Sequence, residues 1–243
     1  MKRILIITLL TVGTNSWTLA QDTDLFFSKS QAFFKGYVMD GMVSYASVKR
    51  RFSQIDHLKR IIESVDLSNA DSQTKKAFYV NTYNLIVIYQ VTKNYPMSKP
   101  LDQEGFFDKT KYNIAGEMLT LNELEVNKLL KVYKDPRLHF ALACAAVSCP
   151  QLANYAYDPK NIDEELTKRT TASLNNPEFV KVDQGRNEVR LSKIFDWYEG
   201  DFKSVSSNHI SFINKYRVNK IPGNFKVGYY EYDWNLNDLS SRL

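Results

Sequence analysis

Residues 72–94 read SQTKKAFYVNTYNLIVIYQVTKN, and how this stretch folds decides where everything else can sit. A helix opening near Ser72 and running to about Asn94 has to end before Pro96, which cannot continue it. Between Phe78 and Val91 the residues are apolar nearly all round rather than along one stripe, so the helix is expected at the centre of the core. Asn81 and Asn84 interrupt it at i, i+3 spacing and share one face. A buried carboxamide needs partners for both its donor and its acceptor ends. The commoner fate is to cap or bridge a neighbouring backbone; the functional one is to orient a histidine or a substrate carbonyl.

Working outward, residues 24–35 place Phe26, Phe27, Phe33 and Phe34 at heptad spacing and predict an amphipathic helix that stops at Gly36. Asp40-Gly41 centres a short hairpin over Tyr37–Tyr45. The series Val48, Phe52, Ile55, Leu58, Ile62, Val65 steps by three and four, predicting a helix from Ser47. A small hairpin turns at Ala115-Gly116. Thr120-Leu121-Asn122-Glu123 has the capping-box pattern that opens a helix through about Tyr133. Leu138–Cys144 reads as a short buried strand, although Asp135-Pro136 also suits an N-cap followed by a first helical turn. A helix is expected from Asp158-Pro159 to about Leu174. A hairpin should follow over Phe179–Val182 and Val189–Leu191, then helices near 192–202 and 206–217, and a final aromatic strand Phe225–Tyr232. Together these define an α+β class: a helix-rich single domain with a small, mainly antiparallel sheet.

Composition agrees with one globular unit. The chain has 243 residues, 44% of them apolar, with only 9 glycines and 7 prolines, enough to build a self-sufficient core without long linkers. Lys2 and Arg3 precede the apolar run Ile4–Leu10, and Thr18-Leu19-Ala20 offers small residues before Gln21. Residues 1–20 therefore read as a secretory signal peptide, leaving 21–243 as a single exported domain, periplasmic or extracellular. The apolar run is too short to span a membrane, so no transmembrane anchor is expected. Losing Lys2 and Arg3 lowers the formal net charge from +5 by two, an excess too small to imply a nucleic-acid partner. The expected partner is a small-molecule or peptide ligand.

Chemistry concentrates in His139-Phe-Ala-Leu-Ala-Cys144-Ala-Ala-Val-Ser-Cys149-Pro150. Cys144 and Cys149 are the only two cysteines. In an exported protein a disulfide is the first thing to consider, and the four residues between them can turn the chain enough to close one. The other reading makes one thiol a nucleophile, which needs a base to hold it as thiolate and a polar group to orient that base. If Leu138–Cys144 is a strand, Cys144 faces away from His139, and Cys149 in the turn before Pro150 is the better nucleophile. Glu125 and Arg137 read either as a structural ion pair, the favoured reading, or as part of a site. His57 and His209 lie in segments expected to be ordinary amphipathic helices, and zinc needs three or four ligands, so no metal site and no cofactor are expected. Trp197, Tyr198, Trp234 and the tyrosines of 229–232 could line a groove.

Taken together, Phe78–Asn84, the capped Leu119–Leu130 helix, His139–Pro150, Phe195-Asp196-Trp197-Tyr198 with Asp201-Phe202, and Tyr232-Asp233-Trp234-Asn235-Leu236-Asn237 resemble domain-of-unknown-function family 547, in order across most of 40–240. The family pattern has Asn-Ala-Tyr-Asn where Asn81, Tyr83 and Asn84 stand. It has His…Cys…Ser-Cys-Pro where His139, Cys144, Ser148, Cys149 and Pro150 stand. This chain departs from it in carrying Tyr79 for a Trp, Ala143 for an Asn and Ser44 for an Asp. The resemblance implies a fold akin to papain-like or transglutaminase-like thiol enzymes, by analogy, and intracellular relatives that keep both cysteines count against a purely structural bridge.

Two functions follow. In the first, Cys149 is the nucleophile, His139 the base and Asn84 (or Asn81) the orienting amide of an acyl-transfer or hydrolase-type enzyme. Backbone N–H groups near Ser148–Cys149 supply the oxyanion donors, and Asn81, Tyr83, Ser148 and Trp197 bind the substrate. The order of His before Cys opposes that of most Cys–His enzymes and requires a permuted arrangement or His209 as the base. In the second, the chain is a non-catalytic envelope binding module whose Cys144–Cys149 disulfide stiffens a recognition loop.

Overall fold

The computed structural model describes the backbone of residues 15–242 and the side chains from Asp22 to Ser240. The leader expected over 1–20 lies outside the residues described with side chains. Helix α1 (Asn15–Tyr37) runs two residues further than expected, through Gly36, into a hairpin of β1 (Val38–Met39) and β2 (Met42–Val43). That hairpin turns where Asp40 and Gly41 both take left-handed φ, 49° and 80°, the backbone of the tightest two-residue hairpin. The helix expected from Ser47 is two helices, α2 (Tyr45–Arg50) and α3 (Phe52–Ser64), because Arg51 leaves helical geometry at φ −120°, ψ 40°.

Helix α4 (Ser72–Asn94) starts where the Asp71 side chain accepts from the Thr74 N–H at 2.7 Å, satisfying one of the orphan donors of the first turn. It is buried almost continuously from Lys76 to Thr92 and packs against α1, α2 and α3. The largest apolar cluster forms around it, Phe26, Phe34, Tyr45, Ile62 and Phe78 among its members. Antiparallel β3 (Tyr112–Ile114) and β4 (Glu117–Leu119) follow. Thr120 and Glu123 then cap each other's backbone N–H groups at 3.0 and 2.9 Å, as expected of a capping box. The helix they open begins as α5 (Leu121–Glu123), widens into a π-helical stretch over Leu124–Leu130 and closes as α6 (Lys131–Tyr133).

Leu138–Cys144 is not a strand. Pro136–Phe140 forms a 3-10 turn with Pro136 first and Asp135 as N-cap, accepting from the Arg137 N–H at 3.0 Å. Such a turn sends three successive side chains in three directions. Leu138 enters the cluster around α4, and Phe140 enters a second cluster with Phe179, Phe195, Phe202 and Phe212. His139 is left between the two. A strand would have put Leu138 and Phe140 on one face.

The second cluster is built by the remaining elements. Helix α7 (Ile162–Asn175) begins later than Asp158, whose side chain instead closes a turn onto the Lys160 N–H at 2.8 Å. The hairpin β5 (Val180–Asp183) and β6 (Glu188–Leu191) is antiparallel as expected. Helices α8 (Ile194–Trp197), α9 (Glu199–Val205) and α10 (His209–Tyr216) follow, and β7 (Lys226–Tyr229) pairs with β6 in parallel. The strands therefore form three small sheets, two of them lone hairpins, and helices dominate. Among the described residues no helix is long and apolar enough to cross a membrane.

Asn81 and Asn84 take the structural role. The Asn81 amide donates to Tyr157 O at 2.8 Å and accepts from Tyr157 N at 2.9 Å. Asn84 does the same to Ala141 O and Ala143 N, both at 2.9 Å. Each carboxamide thus clamps a passing irregular backbone to the face of α4. Asn81→Ala orphans two buried peptide groups, so it should lower unfolding free energy by about 2–4 kcal/mol, measured by urea denaturation.

His209 is buried beside Phe195 and Tyr229, and its Nε2 has no hydrogen-bond partner among the described residues. Burial holds its pKa below the ordinary histidine value. The unfolded chain therefore takes up the proton first as pH falls below about 6.5. The neutral histidine's contribution is whole above that value and lost towards the lower folded pKa. Thermal midpoints should drop between pH 7 and pH 5.5, and His209→Phe should flatten that drop.

Candidate functional site

A cleft of about 300 Å³ opens where the two apolar clusters meet, at the lower end of small-molecule sites. His139, Cys144 and Cys149 all line it. The strand reading had turned Cys144 away from His139; the 3-10 turn and the loop behind it bring them together. Beyond Ala143, held by Asn84, the chain reverses at Ala145, which takes a left-handed φ of 63°. Cys149 returns towards Cys144 with Cα atoms 6.1 Å apart, and the two sulfurs are joined as a disulfide. The Cys144 N–H donates to Cys149 Sγ at 3.0 Å, and the Tyr232 hydroxyl lies 3.2 Å from each sulfur.

This loop is laced to the C-terminal segment. Val147 N donates to Asn235 O at 2.8 Å, Ser148 N to Asp233 O at 3.1 Å, Asn237 N to Ala145 O at 2.9 Å, and Asp233 N to Ser148 Oγ at 2.9 Å. That lacing carries Tyr232 and Trp234 onto the cleft, where they pack with Trp197 at ring-centroid distances of 4.8 to 5.9 Å. The backbone N–H of Cys149 donates to Ala146 O at 3.1 Å. Both amides expected as oxyanion donors, those of Ser148 and Cys149, are therefore engaged within the protein, and Ser148 faces a neighbouring polar hollow rather than the cleft.

The imidazole of His139 is almost wholly buried. Its Nε2 lies 2.8 Å from Asp201 Oδ2, and its ring packs tilted against Tyr198 with centroids 4.1 Å apart. The group that orients His139 is thus Asp201 of α9, not Asn84, whose amide is spent on the backbone two and four residues further on. His209, the other histidine weighed as a base, lies in the second cluster and does not line the cleft. Tyr83 and Trp197 do line it; Asn81 and Asn84 do not.

Glu125 and Arg137 are not partners. Arg137 pairs with Asp135 and Asp163, and its guanidinium holds Asp163 below the usual carboxylate range. Glu125 sits in the π-helical stretch and faces the cleft, where its Oε1 accepts from the Tyr198 hydroxyl at 2.8 Å. π-Helical turns recur at functional sites because the extra residue re-aims side chains. Tyr83, fully buried against the same carboxylate, has its pKa pushed well above the phenol value, by burial first and by the Glu125 charge second. Burial also raises Tyr198 and Tyr232, so all three phenols stay protonated donors at neutral pH. Asp201 went unrecognised as a site group in the sequence, and Glu125 reads there first as an ion-pair partner of Arg137 rather than as a cleft residue. The cue for Asp201 lay in the Asp201-Phe202 pair after Trp197-Tyr198, and the cue for Glu125 in the capped helix that precedes His139. Among the described residues no three His, Cys, Asp or Glu side chains gather closely enough to hold a metal ion.

Fold and site together define a helix-rich α+β protein whose two apolar clusters enclose a disulfide-walled aromatic cleft. Residues 67–173 match the family model described as "Protein of unknown function, DUF547", the family that the sequence motifs resemble, and the matched segment supplies α4, the π-helical stretch, His139 and both cysteines. Comparison with curated proteins and with solved structures found no match.

The buried His139 ring nitrogen depends on Asp201. Asp201→Ala should destabilise the protein by about 1–3 kcal/mol, read from urea denaturation midpoints, and Asp201→Asn should recover most of that loss.

Proposed function

We propose that this protein is an exported binding module whose cleft takes a small-molecule ligand and whose Cys144–Cys149 bridge is part of the cleft wall. The observation that carries this reading is the joining of the two sulfurs beside the aromatic rings, under the Tyr232 hydroxyl. A sulfur in a disulfide is not a thiolate nucleophile. The amides that would receive an oxyanion are already engaged, and a bridge of this kind persists in oxidising compartments outside the cytoplasm. The aromatic walls offer the contact area of a ligand pocket.

A thiol-enzyme reading is kept alive by one observation: His139 and Cys149 line the same cleft, and Asp201 already orients the imidazole. It requires the bridge to be opened, so that Cys149 is released as a hydrolase-type or acyl-transfer nucleophile.

Iodoacetamide labelling of native protein from pH 5 to pH 9, mapped by mass spectrometry, separates the two. The binding module predicts no label on either cysteine until the protein is both unfolded and reduced. Rapid labelling of Cys149 alone below pH 7 would overturn it in favour of the enzyme.

A further inference from the structure

The cleft combines aromatic walls with a single kind of charge. Trp197, Tyr232 and Trp234 form one mutually packed wall, and Phe107 lies beside Trp234 at a centroid distance of 6.5 Å. Glu125 presents its carboxylate to the same space. Among the described residues no lysine or arginine lines the cleft, and Glu125 makes no ion pair. The His139 imidazole is held by Asp201 at 2.8 Å rather than by Glu125. Tyr83 and Tyr198 contribute hydroxyls held against Glu125, which fix the carboxylate without neutralising it.

A site of this composition discriminates by charge. The faces of indole and phenol rings carry negative electrostatic potential and attract a cation, most strongly when it is partly desolvated. A fixed carboxylate with no internal counter-ion adds to that attraction and repels anions. Alkylated ammonium groups suit such a surface best, because they are large, weakly hydrated cations that also bury methyl groups. The volume of about 300 Å³ fits a free small molecule.

We infer that the cleft binds a small organic cation carrying an alkylated ammonium group, held between the Trp197–Tyr232–Trp234 wall and the Glu125 carboxylate. The inference rests on the binding-cleft reading above and names its ligand class.

Two of the chain's 3 tryptophans line the cleft, so intrinsic fluorescence reports on it directly. The unmodified oxidised protein is titrated with four probes: choline, the alcohol with a tert-butyl group in place of its trimethylammonium, the carboxylate bearing the same tert-butyl group, and benzyl alcohol. Choline should bind at least about tenfold tighter than its uncharged isostere, and the carboxylate weakest of all. Glu125→Gln should bring choline and the isostere within about threefold of each other. If the isostere binds as tightly as choline, or benzyl alcohol binds and choline does not, the cation inference is overturned and the binding cleft stands. If none of the four binds, both are overturned. The ranking on unmodified protein decides the matter even if the variant does not fold.

Discussion

The Asn84 carboxamide holds Ala141 O and Ala143 N on the flank of the central helix, and the candidate site depends on that clamp. Upstream of the clamped residues, the 3-10 turn delivers His139 to the cleft; downstream, the chain reverses at Ala145 and brings Cys149 back to Cys144. Asn81 repeats the device one helical turn earlier, on Tyr157. The pair fixes both ends of the irregular segment 141–157 against a rigid buried rod. This is how an aperiodic loop can carry a defined site: its backbone polar groups find fixed partners in a place where water cannot supply them.

The second constraint is topological. The loop 144–149 is laced to Asp233–Asn237, and the same lacing swings Tyr232 and Trp234 over the sulfurs. Cleft residues thus come from α4, the π-helical stretch, the 3-10 turn, α8 and the C-terminal segment. No single element would make the site, and two apolar clusters have to meet for it to exist.

What could be read from the sequence follows from which forces are local. Caps, turns and periodicity announce themselves, so α4, the hairpin at Asp40-Gly41 and the capping box at Thr120 appear where expected. Leu138–Cys144 misled because a short apolar run has no period of its own, and its conformation is set by Asp135, Pro136 and the distant Asn84. Asn81 and Asn84 were legible as buried amides needing partners, but the identity of those partners is a tertiary fact. Asp201 lies 62 positions from His139 and Tyr198 lies 73 from Glu125, separations at which nothing in the local pattern signals contact. The family motifs, by contrast, marked nearly every segment that reaches the cleft without saying which side chains face it.

The account turns on Asn84 as the anchor of the site segment. Amide hydrogen exchange of Asn84→Ala, resolved by residue and compared with the unmodified protein, tests it most directly. The account predicts that the Ala143 amide exchanges at least about tenfold faster in the variant, while amides in the middle of α4 keep their protection. An unchanged Ala143 rate in a folded Asn84→Ala protein would show that the segment is held by other means and would contradict the account.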